Sequence, residues 1–110
     1  MRGLWAFAIA IFLAMVAVTT WASLDTNVLA GFQRLLADRW GVATLLDAYF
    51  GFLWFWLWIW YKEVSPRRSL LWLLLLFALG NLAMAAYLLI QLSRMKPGDG
   101  IEALLVRRDP

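Results

Sequence analysis

One carboxylate, Asp47, interrupts an apolar run at 45–61, and Asn81, Tyr87 and Gln91 interrupt a second run at 70–92. These residue types can hold a polar headgroup or handle a proton, because a carboxylate exchanges protons while Tyr, Asn and Gln supply donors and acceptors. A lone Asp beside a Tyr is thin equipment for catalysis, which ordinarily needs a base and a group that orients it. The chain has no Cys and no His. Disulfides, thiolate metal sites and Cys nucleophiles are thereby excluded, and the commonest metal ligand and general base are missing. No metal and no cofactor is expected, no catalytic residue is assigned, and the balance leans away from an enzyme.

The elements that must position these residues follow from composition. Of the 110 residues, 65% are hydrophobic and only 15% charged, against about 45–50% apolar in a soluble domain. A soluble protein this small could not cover itself, so the excess has to face lipid. The first apolar run, 4–21, follows Arg2 and resembles a signal peptide. Trp21 inside Thr20-Trp21-Ala22 argues against cleavage, so it is expected to remain as an anchor. Residues 26–40 are too polar to span. Val28, Leu29, Phe32, Leu35, Leu36 and Trp40 recur at helical spacing among Asn27, Gln33, Arg34 and Asp38, the pattern of an interfacial amphipathic helix. Gly41 then permits a sharp turn. The expected fold is an all-α integral membrane domain over 1–110, with transmembrane helices at 4–21, 44–61 and 70–92. The interfacial helix lies between the first and second of these, and the tail is 93–110. In that tail, Ile101, Leu104 and Leu105 follow a Pro-Gly-Asp-Gly turn and predict a short surface helix.

Three spans would put the end of the first, the start of the second and the end of the third on one side of the membrane. Thr19, Thr20, Asp47, Tyr87 and Gln91 would then share a depth, with Asp47 about 8–9 Å from the midpoint of its span and Asn81 near the midplane. Asp47, Gly51, Trp54 and Trp58 align on the second helix, and Gly80, Met84, Tyr87 and Gln91 on the third. A polar-mouthed, Trp-floored pocket for an amphiphile becomes possible, so Asp47, Tyr87, Asn81, Gln91, Thr20, Trp54 and Trp58 are the ligand-binding candidates. Each also has a plainer reading. Thr44-x-x-Asp47 has the form of a capping box, Asn81 that of an interhelical hydrogen bond, and the Trp residues that of belt and packing. Ala6, Ala10, Ala14 and Ala17 fall on one stripe, the expected helix-packing face of the first span.

The stretches 40–63 and 79–90, with Asp47-x-Tyr49-x-Gly51-Phe52 and Gly80-Asn81-x-Ala83-Met84-Ala85, resemble a family of small membrane proteins catalogued as domain of unknown function 1475. The resemblance implies that Asp47, Tyr49, Gly51, Lys62, Glu63, Gly80, Asn81 and Tyr87 belong to a recurring pattern. It implies no activity.

Three functions remain open. The first is a small non-catalytic membrane component, a subunit or oligomeric scaffold whose partners are lipids and either further copies of itself or another membrane protein. The second is a protein that binds or modifies a lipid or isoprenoid near Asp47, and the third a subunit of an oligomeric transporter. The charge of +3 sits beside apolar runs, not on an aromatic-interleaved basic stripe, so no nucleic acid is expected. With three spans, Arg2, Lys62, Arg67 and Arg68 lie opposite Arg34, Arg39, Arg94, Lys96, Arg107 and Arg108. Short loops weigh most in the positive-inside rule. The expected home is a bacterial inner membrane, with the N-terminus cytoplasmic and the C-terminus outside.

Overall fold

The computed structural model describes residues 2–107, which form six α-helices. They are α1 (Arg2–Asp25), α2 (Val28–Leu36), α3 (Arg39–Lys62), α4 (Pro66–Leu79), α5 (Asn81–Ser93) and α6 (Ile101–Leu105). Two of them, α1 and α3, are long and apolar enough to cross a membrane.

Local chemistry sets the helix starts. The Asn27 side chain accepts from the Ala30 amide at 2.8 Å and caps α2. The Asp38 side chain accepts from the Gly41 amide at 3.1 Å and caps α3. Pro66, with its fixed φ and missing N–H, opens α4 behind the cap Ser65. The amphipathic helix is therefore shorter than its predicted 26–40, because Ala37 and Asp38 form a turn and Arg39 and Trp40 already belong to α3. Gly41 is obligatory at that turn, since a Cβ there would collide with the Leu35 carbonyl.

The predicted third span at 70–92 is not one helix. It divides at Gly80, whose φ of 59° and ψ of −123° end α4 and start α5. Had the helix continued, Trp72 and Tyr87 would stand about 22 Å apart at 1.5 Å per residue. Their rings lie 4.9 Å apart, centroid to centroid. The two helices fold back on each other as an antiparallel hairpin, about 21 and 20 Å long, and neither reaches the roughly 30 Å of a bilayer core. Sequence periodicity cannot separate one long apolar helix from two short ones. The glycine conformation does.

The hairpin packs on the C-terminal half of α3. Ile59, Leu76, Ala83 and Tyr87 form the buried core, flanked by Phe52, Phe55, Trp56, Trp58 and Trp72. Phe52 lies against Gly80 so closely that a Cβ there would be 2.9 Å from the ring. The Tyr49 hydroxyl donates to the Phe77 carbonyl (3.1 Å) and the Trp56 indole to the Ser69 carbonyl (2.8 Å), tying α3 to the backbone of α4.

α1 lies along α5. Its inward face is Leu4, Trp5, Ala8, Phe12 and Met15, of which only Ala8 is fully buried. The stripe Ala6, Ala10, Ala14 and Ala17 is exposed, which corrects the expected packing face. It lies on the opposite side of α1 from Ala8, so small residues alone did not identify the contact.

Candidate functional site

The predicted candidates do not converge. The three-span topology had placed Tyr87 and Gln91 beside Asp47. Because the chain reverses at Gly80, α5 instead returns to the end of α3 that carries Lys62, and the two groups part. Thr20 and Asp47 are exposed toward the α2 end. Asp47 is also not a cap: Asp38 holds that role, and the Thr44 hydroxyl donates back to the Trp40 carbonyl. With α3 starting at Arg39, Asp47 comes to about 5 Å from the helix midpoint. Among the described residues its carboxylate has no hydrogen bond or ion pair.

Trp54 is 75% exposed and points away from the hairpin. With Phe50, Leu53, Trp56 and Leu57 it lines an open apolar groove of about 390 Å³ on the outer face of α3. Asn81, exposed at the hairpin tip, borders a cleft of about 220 Å³ with Phe7, Ala8, Ile11, Phe55, Met84, Ala85 and Leu88.

Only Tyr87, Gln91 and Trp58 remain together, at the closed end of the bundle. Tyr87 is fully buried in a cage of edge-on rings: Trp72 at 4.9 Å, Trp58 at 5.4 Å and Phe55 at 6.2 Å. Among the described residues its hydroxyl has no hydrogen bond of normal geometry, while Glu63 and Arg94 lie within electrostatic range. Gln91 is buried one turn further on.

Beside this cage sits a residue that the predicted site left out. Lys62 is only 6% exposed. Its ammonium donates to the carbonyls of Ala103 (3.1 Å), Val106 (2.9 Å) and Leu104. The Trp58 indole donates to the Leu105 carbonyl at 3.0 Å, and the Arg107 guanidinium donates to the Tyr61 carbonyl while resting over its ring. A lysine thus closes the C-terminus of α6, where orphan carbonyls attract a cation, and Leu104 is buried beneath it. A span-ending Lys-Glu pair looks like an ordinary membrane-flanking charge. Nothing in its spacing announces a bond to residues some forty positions later.

The pattern implied by the family resemblance falls into two clasps. Tyr49 and Gly80 hold the hairpin tip, and Lys62, Glu63 and Tyr87 gather at the opposite end. Asp47 belongs to neither. Among the described residues, no group of three His, Cys, Asp or Glu side chains could hold a metal.

The architecture is a small all-helical domain with two helices of membrane-crossing length, a helical hairpin too short to cross, and a fastened tail. The chain belongs to DUF1475, a family described as protein of unknown function, whose model matches residues 2–108. No curated protein and no solved structure matches it.

Proposed function

We propose that this chain is a non-catalytic integral membrane component that crosses the bilayer twice, through α1 and α3, and inserts α4 and α5 as a re-entrant hairpin. In the helix of a soluble core most residues are buried, whereas only 6% of the apolar window of α1 or α3 is. The family match includes α1, and α1 packs on α5, which supports reading it as part of the domain. α2 presents Val28, Leu29, Leu35 and Leu36 outward, as an interfacial helix would.

The re-entrant reading also changes the charge count. The N-terminal half of α1 lies beside Phe55 and Leu88, and its C-terminal half beside α2. Arg2, Lys62, Arg67, Arg68, Arg94, Lys96 and Arg107 then share one side, against Arg34 and Arg39 on the other. The positive-inside rule makes the first side cytoplasmic. The N-terminus keeps its expected place, and the tail moves to join it.

One observation carries the non-catalytic reading. The polar contacts at the closed end fasten α3, α4 and the tail, while the other candidates are scattered and exposed. Native mass spectrometry of the gently solubilised protein tests it, with the chain expected to arrive in complex with another membrane protein or a further copy. A bare chain retaining one defined amphiphile in stoichiometric amount would overturn it. That result would favour lipid handling, the second reading, for which the cleft beside Asn81 and Met84 is the supporting observation.

A further inference from the structure

Asp47 holds a place that the fold leaves unexplained. It stands on the stripe Ala43, Asp47, Phe50, Trp54 and Leu57, spaced at i, i+4, i+7, i+11 and i+14. All five are exposed, on the side of α3 away from the hairpin. The stripe is otherwise apolar, and the groove lined by Phe50, Leu53, Trp54, Trp56 and Leu57 runs beside it. On the proposed membrane reading, on which this inference rests, the carboxylate sits about 5 Å from the middle of α3, at a depth where lipid offers nothing to bind it. Such groups are expensive in a bilayer and are ordinarily paired.

The chain cannot supply the pair itself. No Lys or Arg occurs between Arg2 and Arg34, between Arg39 and Lys62, or between Arg68 and Arg94. Every basic residue is therefore at or beyond a helix end. A second copy would bring the same inventory to the same depth, setting Asp47 against another carboxylate or against apolar surface. Charge complementarity selects a different protein.

We infer that the outer face of α3 is the docking surface for a transmembrane helix of a partner protein, and that this helix carries a Lys or Arg at the depth of Asp47. Its apolar side chains seat in the groove beside Trp54. Its cation meets the Asp47 carboxylate where both are shielded from water, so the charge pair sets depth and partner choice while the groove supplies contact area.

Photo-crosslinking in native membranes tests this. The photoreactive residue benzoylphenylalanine in place of Trp54 leaves the core untouched, because Trp54 faces outward. The crosslinked peptide is then identified by mass spectrometry. The expected product joins the chain to an apolar span of another protein that contains a Lys or Arg, and Asp47→Asn lowers its yield at least tenfold. Unchanged thermal unfolding of Asp47→Asn in detergent, expected because the Asp47 side chain is exposed and has no hydrogen bond or ion pair among the described residues, separates a docking defect from misfolding. A crosslink confined to a second copy, to lipid, or to a span without a basic residue overturns the proposal, as does an Asp47→Asn yield equal to wild type. Extraction of the chain from membranes by alkaline carbonate would instead defeat the membrane reading beneath it, so the two failures are distinguishable.

Discussion

Two single residues hold positions that their neighbours cannot relieve. Gly80 combines a positive φ with Phe52 packed where a Cβ would be. Gly80→Ala therefore adds backbone strain to a ring collision and should lower stability by about 3 kcal/mol, read as the midpoint of denaturant unfolding in detergent. A change below about 0.5 kcal/mol, the range of unremarkable surface substitutions, would show that the reversal does not depend on this glycine. Lys62 poses the opposite problem, a buried cation that donates to backbone carbonyls. Lys62→Met keeps the aliphatic stem and removes the donors, and hydrogen bonds to a charged group contribute about 1.5–3 kcal/mol. The amides of 103–106 should then exchange hydrogen roughly tenfold faster or more, while those of α5 hold their protection. Equal exchange in wild type and Lys62→Met would mean that Leu104 and the Trp58 bond fasten the tail without the lysine.

Among the elements, what the sequence disclosed tracks how local the cause was. The helix at 28–36, the turn just ahead of Gly41 and the short tail helix depend on residues a few positions apart, and each lies within a few residues of its expected place. The break at Gly80 depends on packing against Phe52 in another helix, so the run at 70–92 looked like one span. That one difference also dispersed the expected site, because it decides whether Tyr87 lies beside Asp47 or beside Lys62. The packing face of α1 was missed for a related reason. A stripe of four alanines marks where a close approach is possible, and only the position of α5 decides which side is used. Ala8→Leu should thus overpack the α1–α5 contact and cost about 1–3 kcal/mol. Ala10→Leu, on the exposed side, should leave thermal unfolding within about 0.5 kcal/mol of wild type. The reverse ranking would place the helix contact on the alanine stripe after all.

At the scale of the whole molecule, and on the proposed membrane reading, the hairpin determines how the chain meets the bilayer. The longest dimension is 48 Å, enough to cross a bilayer of about 40–45 Å including headgroups. The hairpin occupies only the half nearer Lys62. If α4 and α5 formed one continuous span, Lys96 would lie across the membrane from Val64, on the side of Ala37. With the hairpin, Val64 and Lys96 share the basic side and Ala37 stands opposite. The chain has no native thiol, so single cysteines at these three positions report cleanly. All three replace residues whose side chains are exposed. In intact cells a membrane-impermeant maleimide should label Ala37→Cys alone, and permeabilisation should add Val64→Cys and Lys96→Cys together. Joint labelling of Lys96→Cys and Ala37→Cys, with Val64→Cys protected, would mean that α4 and α5 straighten in the bilayer. Gly80 would then be a kink within a third span, Tyr87 would return to the depth of Asp47, and the scattered candidates would again be neighbours.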